Sequence, residues 1–185
     1  AWSADGTRIA FVRASTASGK LEPADINGWY DSGGGIWVVD VATGTARRIV
    51  ENAFGPSFTR DGKQLAFDAG WSGARRIWIS DAEGRNPRAI TTDSSEAVVH
   101  SEAAWSPDGR LIAFRRIEKA ASDIGVVEVA TQRVRWITRD NVLDMNPAWS
   151  PRGDALYFSS ARGGGINVWR VGVSPGGEVV RQPEQ

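Results

Sequence analysis

One spacing returns four times along the chain: an aromatic residue, three positions, a glycine, four positions, a phenylalanine. It reads as Trp2, Gly6, Phe11; as Phe58, Gly62, Phe67; as Trp105, Gly109, Phe114; and as Trp149, Gly153, Phe158. Successive glycines are 56, 47 and 44 residues apart, a period at which one supersecondary unit is duplicated and its copies bury one another's faces. A second string keeps step with the first. It is IWVVDV from Ile36, IWIS from Ile77 and VWRV from Val168, with turns such as ATG (Ala42 to Gly44) or AEG (Ala82 to Gly84) following. Any fold the chain adopts must therefore give four similar units similar surroundings.

The third copy, residues 102 to 140, shows what the unit is. A short apolar run ends at Trp105, Ser106 to Gly109 (Ser-Pro-Asp-Gly) reverse the chain, and LIAF begins a second run that Phe114 closes. Pro107 presets the φ of a turn's first central position, Asp108 bonds backbone ahead of it, and Gly109 takes positive φ without a Cβ clash. That is a hairpin signal. IGVVEV, the turn Ala-Thr-Gln-Arg and VRWIT supply a third and a fourth run.

Ile9 and Phe11 on one side of the second run, Ala10 and Val12 on the other, are all apolar, and so are Ile36, Trp37, Val38 and Val39 of the third. Sheets apolar on both faces must be covered on both. Fourth runs such as ARRIVE and PRAIT are more polar, as suits an outer edge that discourages pairing. The nine tryptophans and 21 glycines fit short strands and tight turns, and no useful length of helical periodicity is present. The expectation is an all-β chain, a β-propeller of four four-stranded blades at about 1–51, 54–93, 102–140 and 146–182, in one segment spanning 1–185 that is part of a larger or partial propeller. The tryptophans at matched positions (Trp2, Trp105, Trp149 and Trp37, Trp78, Trp169) are expected to pack between blades. The tail after Val180 reads as disordered.

WSPDGRLIAF, PAWSPRGDALYFSS and the IWVVDVATG type of third strand resemble the WD40-like repeat of the TolB-like propellers, across nearly the whole chain. The fourth copy departs at its first turn, where Arg152 replaces the aspartate of Asp5, Asp61 and Asp108. The resemblance implies a bacterial, non-catalytic module that docks other proteins in the cell envelope, periplasmic or secreted. The same repeats occur in the accessory propellers of prolyl oligopeptidase-like peptidases, where the propeller gates substrate access, and in oligogalacturonate lyase. Four copies are fewer than the six of TolB itself. Ala1-Trp2 already lies inside a first strand by the phase of the repeat, so missing blades, or self-association through apolar blade flanks, are expected.

Lysine plus arginine balance aspartate plus glutamate at 22 each, so there is no basic field for nucleic acid. No run is long enough for a membrane span, and the absence of cysteine excludes disulfides and thiolate chemistry. His100, the only histidine, cannot by itself build a multi-histidine metal site or a lyase centre. GWSGA (Gly70 to Ala74) has alanine where a nucleophile elbow needs glycine. Asp25, Asn27 and Asp31 in DINGWYD begin like a calcium loop, but the spacing fails after the second ligand position. No enzyme, cofactor or metal is therefore expected.

Function is expected in the residues outside the repeat positions. If the Asp-Gly turns occupy one rim, the loops between second and third strands and the connectors between copies share the other. That rim would hold Trp29, Tyr30 and Asp31 of the longest loop, Trp71, Arg75 and Arg76, His100, Glu118 and Lys119, and Arg162. Aromatics and arginines together on a rim suit recognition of a protein partner, with carbohydrate a weaker alternative and ordinary solvated loops the plain one.

Overall fold

The computed structural model describes residues 1–14, 34–140 and 142–185. Trp29, Tyr30 and Asp31 lie outside the described residues, as does the loop that resembles a calcium site. The described chain forms fifteen strands and no helix. Sheet 1 contains β1 (Arg8–Ala14), β2 (Gly34–Asp40) and β3 (Ala46–Glu51). Sheet 2 is β4 (Ala53–Phe58), β5 (Gln64–Ala69), β6 (Arg76–Asp81) and β7 (Arg88–Ala89). Sheet 3 is β8 (Val99–Trp105), β9 (Leu111–Glu118), β10 (Ala121–Glu128) and β11 (Val134–Trp136). Sheet 4 is β12 (Asp144–Trp149), β13 (Ala155–Ser160), β14 (Asn167–Val173) and β15 (Val179–Glu184). Every sheet is an antiparallel meander in sequence order.

Two details differ from the expectation. Sheet 1 has three strands, and the place of an innermost strand holds a single bridge between Trp2 and Ile9. The tail expected to be disordered is β15, paired with β14 through Arg170–Glu184, Gly172–Arg181 and Val173–Val179.

Sheets 2 and 3 are apolar on both faces because each face meets a neighbour, and sheets 1 and 4 each meet one neighbour among the described residues. Ala10, Ile36, Val38 and Val50 of sheet 1 pack on Phe58, Leu65 and Phe67 of sheet 2. Ile77, Ile79 and Ile90 from the far side of sheet 2 meet Trp105, Ile112 and Phe114 of sheet 3. Ile124, Val126 and Ile137 of sheet 3 meet Leu156, Phe158 and Val171 of sheet 4. The innermost strand of each later sheet leans on the sheet before it, so the sheets follow one another along an arc. Trp105 is buried in the second of these layers, and Trp149 is partly buried in the third with its Nε1 donating to Ala104 O at 3.1 Å. Trp2, at the same repeat position, has no sheet before it and is 61% exposed.

The first turn of each unit is locked by one hydroxyl. Ser3, Thr59 and Ser106 donate to Asp5, Asp61 and Asp108 (2.6, 2.7 and 2.6 Å) and accept the amides of Arg8, Gln64 and Leu111. In the fourth copy the carboxylate moves. Arg152 holds the old aspartate position, and Ser150 donates instead to Asp154 Oδ1 at 2.7 Å, while Arg152 Nε bonds its Oδ2 at 3.1 Å. The turn chemistry survives the substitution because a second aspartate two residues on reaches the same hydroxyl.

Candidate functional site

The meander puts the β4–β5, β8–β9 and β12–β13 turns at one rim. The β5–β6, β9–β10 and β13–β14 loops and the connectors between sheets are at the other. Trp71, Arg75, Arg76, His100 and Arg162 all belong to this connector rim or its underside, but to different depths.

Trp71 stands at the surface, 40% exposed. It is held there rather than loose. Its ring meets Phe67 (centroids 5.6 Å) and Trp78 (5.0 Å) edge-on, and its Nε1 donates to Glu51 O of the preceding sheet at 3.2 Å. Arg75, later in the same loop, is stacked over Phe54 at 4.8 Å and paired with the buried Asp68 at 3.3 Å. Burial pushes the Asp68 carboxyl up to about 6 against the pull of Arg75.

Arg76 and His100 lie below the rim, in the junction between sheets 2 and 3. Arg76 is 6% exposed. Its guanidinium is spread over four backbone carbonyls, those of Arg75, Asp93, Ser95 and Val98, at 2.6 to 3.3 Å, so it pins the connector down. His100 is 2% exposed, against Phe114. Thr91 Oγ1 accepts from Ile77 N–H at 2.9 Å and also lies 2.9 Å from His100 Nδ1. The other ring nitrogen, Nε2, lies 3.8 Å from Asp93 Oδ2. Burial, with Arg76 nearby, holds the His100 pKa down at about 4, so the ring is neutral at physiological pH.

Arg162 occupies the junction between sheets 3 and 4, stacked over Phe158 and Trp169. It reaches Asp144 Oδ2 at 2.7 Å and Asp140 Oδ2 at 3.5 Å. The rim residues are therefore spread over successive junctions rather than gathered into one pocket. On the opposite rim the turns frame a shallow open cleft of about 540 Å³ between Thr59, Arg60, Asp61 and Lys63 on one side and Pro107 and Asp108 on the other.

The residues the sequence reading missed are acidic. Asp123, Asp140 and Asp144 bring one carboxylate oxygen each to within 4.8 Å of one another. Asp123 lies 17 residues before Asp140, with Asp144 four further on, and the three follow no motif. Only an alignment of the copies would have revealed them, since they fall where sheet 2 and its connector place Arg76, Asp93 and His100. Burial, followed by the nearby charges of Asp140 and Asp144, pushes the Asp123 carboxyl up.

Four consecutive meander sheets, each packed face to face on the next along an open arc, define a β-propeller segment. No protein-family model matches the chain. Among curated proteins it is similar to the Tol-Pal system protein TolB of Desulfosudis oleivorans, 31% identical over 88 residues, 48% of this chain and 19% of that protein. It is also 29% identical over 101 residues, 55% of this chain, to an uncharacterised protein of Agrobacterium fabrum, of which it covers 33%. The chain thus spans a third or less of the curated relatives it matches. Among solved structures it superposes on TolB of Acinetobacter baumannii with a TM-score of 0.70 (22% identity, 96% of this chain, 41% of that one). A putative TolB of Agrobacterium tumefaciens gives 0.72 (20% identity, 97% of this chain, 59% of that one). The fold is shared more widely, with a manganese-bound oligogalacturonate lyase (TM-score 0.67, 16% identity, 97% of this chain, 51% of that one) and a prolyl endopeptidase (0.63, 14% identity, 100% and 28%). In repeat and fold the chain is a β-propeller segment similar to those of TolB.

Proposed function

We propose that this chain is a non-catalytic propeller segment that binds another protein through its connector rim, in the periplasm or outside the cell. The observation that carries this is Trp71. An indole left 40% exposed, yet fixed by two aromatic edges and a hydrogen bond, is an anchor whose ordering cost is met before any partner arrives. Arg75, at the end of the same β5–β6 loop, is held against Phe54 and Asp68 beneath this surface. Trp29, Tyr30 and Asp31, outside the described residues, are assigned to the same surface by repeat order alone. Arg76 and His100 support it from below, and Arg162 lies further along the rim. The likeness to TolB supports a role in the cell envelope. The lone histidine is buried against Thr91 and Phe114, out of reach of a substrate.

The test is site-directed photo-cross-linking in envelope extracts. A cross-linker at Ser72, beside Trp71, is expected to capture a defined partner, and Trp71→Ala to weaken that capture about tenfold or more. Capture of the same partner only from Lys63, on the turn rim, would refute the assignment.

The likeness to a prolyl endopeptidase favours a second reading, an accessory propeller gating a larger hydrolase. A hydrolase domain with a G-x-S-x-G elbow encoded downstream decides for it, and a complete propeller followed by a stop codon decides against it.

A further inference from the structure

The same junction occurs twice with opposite charge. Between sheets 2 and 3, Ile77 N–H donates to Thr91 Oγ1; between sheets 3 and 4, Ile124 N–H donates to Thr138 Oγ1, both at 2.9 Å. These bonds match Arg76 to Asp123 and Asp93 to Asp140, and the equivalent registers of β8 on β9 and β12 on β13, which place Trp105 with Trp149, match His100 to Asp144. In the first junction a guanidinium is held among connector carbonyl oxygens. In the second, that cation is replaced by a carboxylate, and a neutral imidazole by another.

Three carboxylates thus face one another where the matching site has one. Asp140 is exposed, Asp123 partly buried and Asp144 fully buried. Two arginines are near. Arg162 takes Asp144 Oδ2. Arg116, opposite Asp123 in the β9–β10 register, is engaged by Glu118 at 2.8 Å and Asp93 at 3.5 Å. Against Arg162 alone the three acids leave two negative charges. A second, separate observation is the other oxygen of Asp144. Its residue is 0% exposed, and Oδ1 is buried with no hydrogen-bond partner among the described residues. Arg162 reaches Oδ2 alone, so a buried carboxylate oxygen is left for a further electropositive partner.

We propose that the junction between sheets 3 and 4 is a divalent metal site, of the Ca²⁺ type, ligated by Asp123, Asp140 and Asp144. All three donors are hard oxygens, with no imidazole or thiolate, which selects calcium or magnesium over transition metals. A mutual spacing within 4.8 Å matches oxygens placed around an ion at Ca–O lengths of about 2.4 Å. Asp140 lies at the solvent edge, so water completes the shell. The bound ion does in this junction what the Arg76 guanidinium does in the other, tying the connector to the sheet.

The test uses the 185-residue chain stripped of metal with a chelator. Calorimetric titration with CaCl₂ is expected to show one saturable site, in roughly the range of extracellular calcium modules, near 10⁻⁴ to 10⁻³ M, and a rise in melting temperature over the same concentrations. Asp144→Asn abolishes binding but puts a buried group at risk. Asp140→Asn, at an exposed position, therefore carries the test, with affinity lowered about tenfold or more and the calcium-free melt unchanged. Asp61→Asn, on the far rim, keeps the parent affinity. Failure to bind calcium in that range overturns the proposal, as does parent affinity in Asp140→Asn. A proton shared by Asp123 and Asp144 at neutral pH, seen by carboxyl NMR titration without calcium binding, identifies a proton as the missing cation and also overturns it.

Discussion

At the scale of single residues, two buried groups oppose one another over the same range of pH. His100 is held down from its usual 6.5 to about 4, mainly by burial. Between those values the unfolded chain binds a proton that the folded chain refuses, so folding stability falls as pH falls from 6.5 to 4. Asp68 is pushed up from 3.8 to about 6, again mainly by burial. The folded chain keeps a proton there that the unfolded chain has lost, so stability falls as pH rises through that window. Each effect is on the order of 3 kcal/mol, and in the parent they largely cancel. His100→Gln should expose the Asp68 contribution, with urea midpoints rising as pH is lowered from 6 to 4. Asp68→Asn should expose the reverse slope. A profile in His100→Gln no different from the parent would show that the ring is not kept neutral by the fold. The turn aspartates act lower. Asp5, whose hydrogen bonds from Ser3 and Thr7 hold it near 2, contributes above its unfolded pKa and loses that contribution only as pH falls toward 2.

At the scale of the strand, the third unit solves the tryptophan packing differently from its siblings. Phe11, Phe67 and Phe158 stand opposite Trp37, Trp78 and Trp169 in their sheets, but Phe114 stands opposite Gly125. The indole has moved one strand outward. In sheet 2 the next pair is Trp78 with Ala89, and in sheet 3 it is Gly125 with Trp136, the same large-and-small couple reversed. Trp136 reaches back over the glycine to meet Phe114 edge-on at 6.0 Å. A Cβ on Gly125 would lie 2.7 Å from Phe114 and 3.0 Å from Trp136. Gly125→Trp alone should therefore fail to fold natively, and Trp136→Ala alone should cost about 3 kcal/mol. The double variant rebuilds the sheet 2 couple and should recover most of both losses, a coupling of at least about 1 kcal/mol in denaturant unfolding. Losses that simply add would mean the two sites do not share one space. This exchange also marks the limit of what the sequence disclosed. The period exposed the strands, the turns and the inter-sheet packing, because apolar residues on both faces have few other solutions. The missing indole in IGVVEV and the displaced aspartate in SPRGD look like losses until the sheet register shows Trp136 and Asp154 taking over. The acid cluster depends on contacts across a connector, which no local pattern encodes, and the depth of Arg76 and His100 depends on which loop residues turn inward.

For the whole molecule, the repeat logic identifies the surfaces left without a neighbour. Ala66 and Ile77 of sheet 2, and Ala113 and Ile124 of sheet 3, face the next sheet and are fully buried. By strand register the same places in sheet 4 belong to Tyr157 and Val168, which are 39% and 64% exposed. Val180 of β15, at 67%, extends this flank. At the other end Trp2 and Val41 are 61% and 47% exposed. One place on the far flank is polar, since Arg170, paired to Glu184 at 3.0 Å, stands where sheets 2 and 3 carry Ile79 and Val126. A single ion pair blunts such a face without removing its apolar character. The far flank of sheet 4 resembles the faces that sheets 1 to 3 present forward, and the near flank of sheet 1 resembles the faces that receive them. Head-to-tail contact between copies therefore repeats a packing the chain already makes three times. Sedimentation of the 185-residue chain should show association that grows with concentration and persists in high salt. Changing Val168 and Val180 together to lysine should reduce it, with a cost within about 1 kcal/mol because both side chains are exposed. A chain that stays monomeric at every concentration, or whose association is indifferent to those two lysines, would mean that the flanks are less adhesive than their match to the buried faces implies.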